Sequence, residues 1–484
     1  VASGVAARGP STPLRAGLQP EGWNAGLELA QAVDINPDPR VVEIKLNARV
    51  ARIEIAPGQS VDAWTYDGRV PGPLIRLRVG DRLIVHFTNA LPSPTTVHWH
   101  GLRVPIHMDG VPGISQPPVK TGESFTYDVV VRDAGLFWYH PHVMSAAQVG
   151  FGLYGALLVE DPEERIGVAD ELVMVLSDMA LDDRGALESP EAGGSIANVF
   201  GREGTHVLVN GRKRSSLLVR SGAPERWRIV NAAKSRYFNL DLGGVPFTQI
   251  GGDGGLQEYA VQRDTLMLAP GERADVLVTP QLKPGETMVL RSVLFNRGLF
   301  TVEGRFPYDD LLTITGAEVE PYSGPAPREV RRGIEPLAQA GATKVDLEIT
   351  LDQPPDAAPE YGIRGPLYSA RHKALAARIG ETQIWKVTNS TKWSHPLHLH
   401  GFFFQVLDDG GAPVRPMAWK DTVDIPFERT VRLIVRFDDR EGATGAWMVH
   451  CHILDHAEGG LMGVVQVGPA EEAGPAEAGH GGKH

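Results

Sequence analysis

A single cysteine, Cys451, in 484 residues excludes an intramolecular disulfide framework, so the redox compartment cannot be read from bridges. No run approaches the roughly 18 apolar residues a membrane-spanning helix needs, and no membrane span is expected. A basic excess is missing too: 47 Lys and Arg stand against 59 Asp and Glu, a net charge of −12. Such an acidic, evenly mixed surface argues against nucleic acid or anionic membrane as the main partner. Helical periodicity is scarce. What the chain has in quantity is Gly (55) and Pro (37), which punctuate short runs rich in β-branched residues.

Those runs set the fold class. VVEIKLNARV (41–50), RLIVHF (82–87), FTYDVVV (125–131), LVMVLS from 172, RWRIVN from 226, KVDLEITL from 344 and RTVRLIVRF from 429 read as strands of an all-β protein, packed as antiparallel sheets with Greek-key connections. Breaks near Asp161-Pro162 and in the Pro/Gly-rich stretch 316–343 divide the chain. The division gives an N-terminal extension (1–40), three units (41–162, 163–318 and 319–468) and a tail (469–484), with both ends expected to be mobile. An internal repeat relates the outer units. His98-Trp99-His100-Gly101 is echoed by His398-Leu399-His400-Gly401, and the segment from Gly135 to His142 by that from Gly445 to His452. The middle unit has no His pair and reads as architectural.

Ten of the 16 histidines sit in four clusters: 98/100, 140/142, 395/398/400 and 450/452/456. On a strand, residues i and i+2 share a face about 6 to 7 Å apart, so each His-x-His presents two imidazoles to one side. Four pairs supply eight nitrogens to one cavity, a good ligand set for copper, zinc, iron or nickel. In His450-Cys451-His452 the period of two sends both histidines to one face and the cysteine to the other. One metal can then lie on each side of the strand, joined through covalent bonds. Cys451, His456 and a histidine from another segment such as His395 make the His₂Cys set of a blue-copper electron-transfer site. A structural zinc needs four firm ligands and has no use for a second, eight-histidine cavity.

HWHG (98–101), HPH (140–142), HPLHLHG (395–401) and HCHILDH (450–456) resemble the four copper-binding segments of the multicopper oxidases, most closely the three-domain laccase-like members. The similarity extends to GRVPGPLIRLRVGDRLIVHFTN (68–89), APGERADVLV (269–278) and WKDTV (419–423). The resemblance implies three consecutive cupredoxin-like Greek-key β-sandwich or barrel domains and four copper ions. A blue type 1 copper would be held by His395, Cys451 and His456, and a type 2 copper by His98 and His398. A type 3 pair would be held by His100, His140, His142, His400, His450 and His452. Electrons taken up singly at the blue copper would pass through Cys451 and its flanking histidines to the trinuclear cluster, where dioxygen becomes two waters.

Three acids are candidates for supporting that chemistry. Asp109, in the MDG turn, resembles the family's proton donor. Glu458 is a second acid, displaced by one from the position some relatives use, where this chain has Ala457. Asp421 in WKDTV is expected to orient ligands. The axial position of the blue copper falls on Leu461, with Met462 directly after it. A non-coordinating axial residue predicts a high reduction potential. Expected donors are phenols or aromatic amines meeting a shallow pocket near His395 or His456, because the lead-in NSTKWS carries no acid and Met is spread thinly. The alternatives are Cu(I), Fe(II) or Mn(II) as donor, or a non-catalytic copper-binding protein. The resemblance also implies a periplasmic or secreted protein whose leader lies outside this chain. His86, His107, His206 and His372 read as ordinary polar positions, and His480 and His484 as loose metal binders at most.

Overall fold

The computed structural model describes residue 24 and residues 26–168, 170–298, 309–352, 360–364 and 375–470. Among these residues the strands form six sheets, two to each of three sandwiches. In the first sandwich one sheet orders the strands Gln59–Tyr66, Val41–Ala56, Arg82–Asn89 and Ser124–Val130. The other orders Gly72–Arg78, Gly155–Glu160, Gly135–His140 and His98–His100. Alternation drives the packing. Val42, Ile44, Leu46 and Ala48 of the long first strand point inward, with polar neighbours facing out, the buried Val, Ile and Leu each contributing about 1.5–3 kcal/mol. The middle sandwich pairs a six-stranded with a five-stranded sheet, and the last pairs two five-stranded sheets.

The sequence repeat is also a repeat of register. His98 pairs directly with His140 in the first sandwich, and His398 with His450 in the last. Each sandwich has its own core. A fourth apolar cluster lies where they meet, drawing Leu136, Trp138 and Val149 from the first, Val173 and Val230 from the middle and Leu454 from the last.

Among the described residues, α-helix is confined to short pieces beside this junction: α1 (Ser145–Gly150), α2 (Gly194–Phe200) and α3 (Leu454–Glu458). Residues 26–40 depart from the mobile end their composition suggests. Leu27 is buried in the middle core, and its carbonyl accepts a bond from Asn210 Nδ2 at 2.6 Å. Ala32 N donates to Leu74 O at 2.9 Å, and Leu74 N donates to Ala30 O at 2.7 Å. The strand Gly72–Arg78 is a sheet edge with unpaired backbone groups, and this segment satisfies them. The expected mobility of the tail concerns residues that, beyond 470, lie outside those described.

Candidate metal centres

The clustered histidines converge because strand period and turn geometry aim them at one place. Trp99 turns into the core of the first sandwich, so His98 and His100 on either side of it face out of that core. Gly101 closes the strand at φ +88°, and a Cβ there would lie 2.8 Å from both Phe137 Cδ1 and Asp421 Oδ2, a place only glycine fills. On the strand Gly445–Cys451, Cys451 joins the core of the last sandwich, while His450 and His452 leave on the opposite side.

The outer sandwiches meet ring to ring. His98 stacks on His400 with centroids 4.0 Å apart, and His100 on His398 at 3.8 Å. Ligand atoms gather into four compact groups: His98/His100/His398, His100/His140/His452, His142/His400/His450 and His395/Cys451/His456. A further group, His98/Asp109/His400, belongs to the same cavity. The eight cavity histidines and the three residues around Cys451 thus sit on opposite sides of one strand.

Hydrogen bonding decides which nitrogen faces inward. His98 Nδ1 donates to Asp109 O (2.7 Å), His398 Nδ1 to Asp421 O (2.9 Å), His140 Nδ1 to Pro141 O (3.0 Å) and His450 Nδ1 to Cys451 O (2.8 Å). Facing the cavity, Nε2 of His98, His140, His142, His398 and His452, with Nδ1 of His100, is buried without any hydrogen-bond partner. Each orphan of this kind costs about 1–3 kcal/mol, and a bound metal is the partner that removes the cost. Burial holds eight of these imidazoles neutral, as ligation requires. His395 is pushed down to about 3, and so is His400, where the neighbouring His98 adds to the effect. His100, His140, His142, His450, His452 and His456 lie well below the ordinary histidine value for the same leading reason.

Around Cys451, Sγ lies 3.7 Å from His395 Nδ1 and 3.8 Å from His456 Nδ1. Bonds of about 2.3 Å to sulfur and 2.0 Å to nitrogen at 120° give about 3.7 Å, so these atoms suit one trigonal ion. Burial pushes the Cys451 thiol up, and an incoming metal has to displace its proton. Ile453 N donates to Sγ at 3.4 Å, and Thr391 Oγ1 lies 2.7 Å from His395 Nε2. Leu461 is buried in the same core as Cys451, whereas Met462 is 36% exposed.

The acids take different places. Asp109 Oδ2 accepts from His400 Nδ1 at 2.9 Å. Burial alone would raise its carboxyl, but the imidazoles of His400 and His98 hold it well below the usual carboxylate range. Asp421 Oδ1 lies 3.3 Å from His100 Nε2, and the Arg273 guanidinium outweighs burial to keep it ionised. Glu458 is elsewhere: its Oε1 accepts the Ala146 amide of α1 at 2.9 Å, and no histidine bonds it among the described residues. His395 and His456 themselves have no exposed surface. The Tyr361 ring lies 4.4 Å from that of His456 and 5.3 Å from that of His395.

Sequence reasoning missed Tyr361, Thr391 and Arg273, although Arg273 lies inside the APGERADVLV run and Thr391 inside the NSTKWS lead-in. Of the other histidines, His86 pairs with Glu43 at 2.7 Å and His206 with Gln59 at 2.9 Å, while His372, His480 and His484 lie outside the described residues.

Family profiles described as Multicopper oxidase match residues 47–164, 170–298 and 342–471. Multicopper oxidase MmcO of Mycobacterium tuberculosis is 31% identical over 497 aligned positions, covering 95% of this chain and 94% of that protein. A laccase of Bacillus subtilis is 27% identical, covering 82% and 89% respectively. The structure of a Campylobacter jejuni multicopper oxidase, described as a metallo-oxidase, superposes with a TM-score of 0.79 at 26% identity, over 91% of this chain and 94% of that one. The chain therefore belongs to the multicopper oxidases, enzymes that carry four copper ions and pass electrons from a reducing substrate to dioxygen.

Proposed function

We propose that this protein is a laccase-like oxidase coupling four one-electron oxidations of phenolic or aromatic amine donors to reduction of dioxygen to two waters. The observation that carries the reading is the strand His450-Cys451-His452. Cys451 belongs to the trigonal group with His395 and His456, while His450 and His452 belong to two separate histidine triads behind it. In this reading His395, Cys451 and His456 hold the blue copper, and His98 and His398 the type 2 copper. One type 3 copper goes to His100, His140 and His452, the other to His142, His400 and His450. The coppers supply one-electron acceptance on one side of the strand and four-electron chemistry on the other.

The protein supplies the rest. Burial shields the His395/Cys451/His456 group and most of the cavity histidines, with His142 partly exposed, and the carbonyls of Asp109 and Asp421 fix the tautomers of His98 and His398. Asp109, with one carboxylate oxygen committed to His400 and Oδ1 without a hydrogen-bond partner, is our candidate to pass protons. Tyr361 and Thr391 contact the residues that would hold the blue copper, and outer-sphere electron transfer would tolerate such side chains between donor and metal. A periplasmic or secreted setting is part of the same proposal and rests on the family resemblance.

A metallo-oxidase, with Cu(I), Fe(II) or Mn(II) as donor, is the second reading, favoured by the likeness to the Campylobacter metallo-oxidase. Oxygen uptake by copper-loaded protein, compared on a phenol, an aromatic amine, Cu(I), Fe(II) and Mn(II) under one set of conditions, separates the two. Faster uptake on the organic donors supports the proposal, and faster uptake on a metal ion replaces it. Protein that is blue near about 600 nm yet takes up no oxygen would be a copper-binding protein without turnover.

A further inference from the structure

We propose that Arg273, on the middle sandwich that supplies no copper ligand, is a positioning residue for the type 2 copper and the neighbouring type 3 copper of the trinuclear cluster. It acts by locking Asp421 against His100 and His398. The inference rests on the copper assignment above and adds a residue to it.

Arg273 has no exposed side-chain surface, and all five of its guanidinium N–H groups have acceptors drawn from three sandwiches. Nε donates to Leu136 O of the first (3.2 Å). Nη1 donates to Gly271 O of the middle (3.0 Å) and Nη2 to Asp253 O (3.0 Å). The two remaining N–H groups grip Asp421 of the last, Nη1 on Oδ1 at 2.8 Å and Nη2 on Oδ2. A planar fork gripping both carboxylate oxygens fixes rotation as well as position. The fixed Oδ1 also accepts from Thr422 Oγ1 at 2.8 Å, lies 3.3 Å from His100 Nε2 and is 3.5 Å from His398 Nδ1.

Two observations outside the ion pair place the same loop against the cluster. Gly271, at φ +87°, approaches so closely that a Cβ would stand 2.8 Å from His452 Cγ and Cδ2 and 3.2 Å from His100 Cε1. Lys420, next to Asp421, reaches back to Asp253 Oδ2 (2.9 Å) and Glu272 Oε1 (3.1 Å) of the middle sandwich. The contrast with Asp109 gives the arrangement its meaning. Asp109 performs the matching task for His98 and His400, but among the described residues no arginine grips it, and its Oδ1, without a hydrogen-bond partner, lies 3.3 Å from His98 Nδ1. The middle sandwich breaks the pseudo-symmetry of the cavity, leaving one carboxylate locked by a guanidinium and the other without such a clamp.

The test uses full-length, copper-loaded protein and reads copper by element count, the type 2 electron paramagnetic resonance signal and the rate of copper loss to a chelator. The 600 nm band serves as an internal reference. Arg273→Lys, which keeps the charge but not the fork, should hold type 2 copper about 10- to 100-fold less tightly with the blue band unchanged. Asp421→Asn should do the same. An R273K/D421N chain should lose no more type 2 copper than D421N alone, because both act on one interaction. Gly271→Ala tests the loop without touching the ion pair, and it decides the matter should R273K fail to fold. It should disturb the trinuclear signals and spare the blue band. Unchanged type 2 signal and chelator kinetics in R273K, or in G271A if only that folds, would overturn the proposal. So would equal loss of blue and trinuclear copper, which would make Arg273 a general strut. Wild-type protein without type 2 copper would instead refute the copper assignment, whatever Arg273 does.

Discussion

Asp109 and Asp421 are counterparts that exchange partners across the junction of the outer sandwiches. Asp109 takes His98 on its carbonyl and His400 on its carboxylate, whereas Asp421 takes His398 on its carbonyl and lies with its carboxylate against His100. Each aspartate therefore ties a histidine of its own sandwich to one from the opposite sandwich, and the cavity cannot open without breaking both.

Removing the Asp109 carboxylate should separate positioning from proton transfer. Asp109→Ala leaves His400 Nδ1–H without its acceptor and is expected to lower trinuclear copper retention and turnover by about 10- to 100-fold. The blue band should persist. Asp109→Asn keeps an acceptor oxygen, so copper content should recover while oxygen uptake stays low. Full uptake by D109N would leave Asp109 with a positioning role only.

Leu461 shares the buried core of Cys451, and Met462 faces outward. Leu461→Met should bring a thioether to the axial side of the blue copper and lower its reduction potential. A redox titration followed at the blue band checks this, and an unchanged potential would assign the axial position elsewhere.

Asp424 gives the fold a pH dependence of its own. Burial, with the charge of Glu272 adding to it, pushes this carboxyl up to about 7 from 3.8, against the opposing bonds from Tyr237 and Ser394. The folded state thus binds the proton more tightly than the unfolded chain. Stability from this group is present in full below about pH 4, falls as the pH rises and is lost by about pH 7. Asp424→Asn keeps an acceptor for Tyr237 Oη, now 2.8 Å from Oδ1. It should raise Tm relative to wild type at pH 8 and leave it nearly unchanged at pH 4, as measured by thermal scans of the copper-loaded protein. Equal shifts at both pH values would contradict the assignment.

Glu458, the second acid expected from the sequence, serves the amide of Ala146. Glu458→Gln preserves that bond, so the pH dependence of oxygen uptake should match wild type. Glu458→Ala should cost about 1 kcal/mol of stability. A changed pH dependence in E458Q alone would return Glu458 to proton delivery.

The clustering of the candidate ligands was legible in the chain because its geometry is local. A period of two is enough to place His98 beside His100 and to set Cys451 back to back with His450 and His452, and the repeated motifs mark which strands correspond. Alternating apolar residues made the all-β fold legible in the same way. Contacts between distant segments follow from how the sandwiches dock, and no local pattern encodes that. Arg273 and Asp421 are 148 positions apart, and His100 and Asp421 are 321 apart. The grouping of six type 3 candidates into two triads, the exchange between Asp109 and Asp421 and the covering of His395 and His456 therefore appeared only in the tertiary structure. So did the outward turn of Met462 and the reach of the middle sandwich to the cavity.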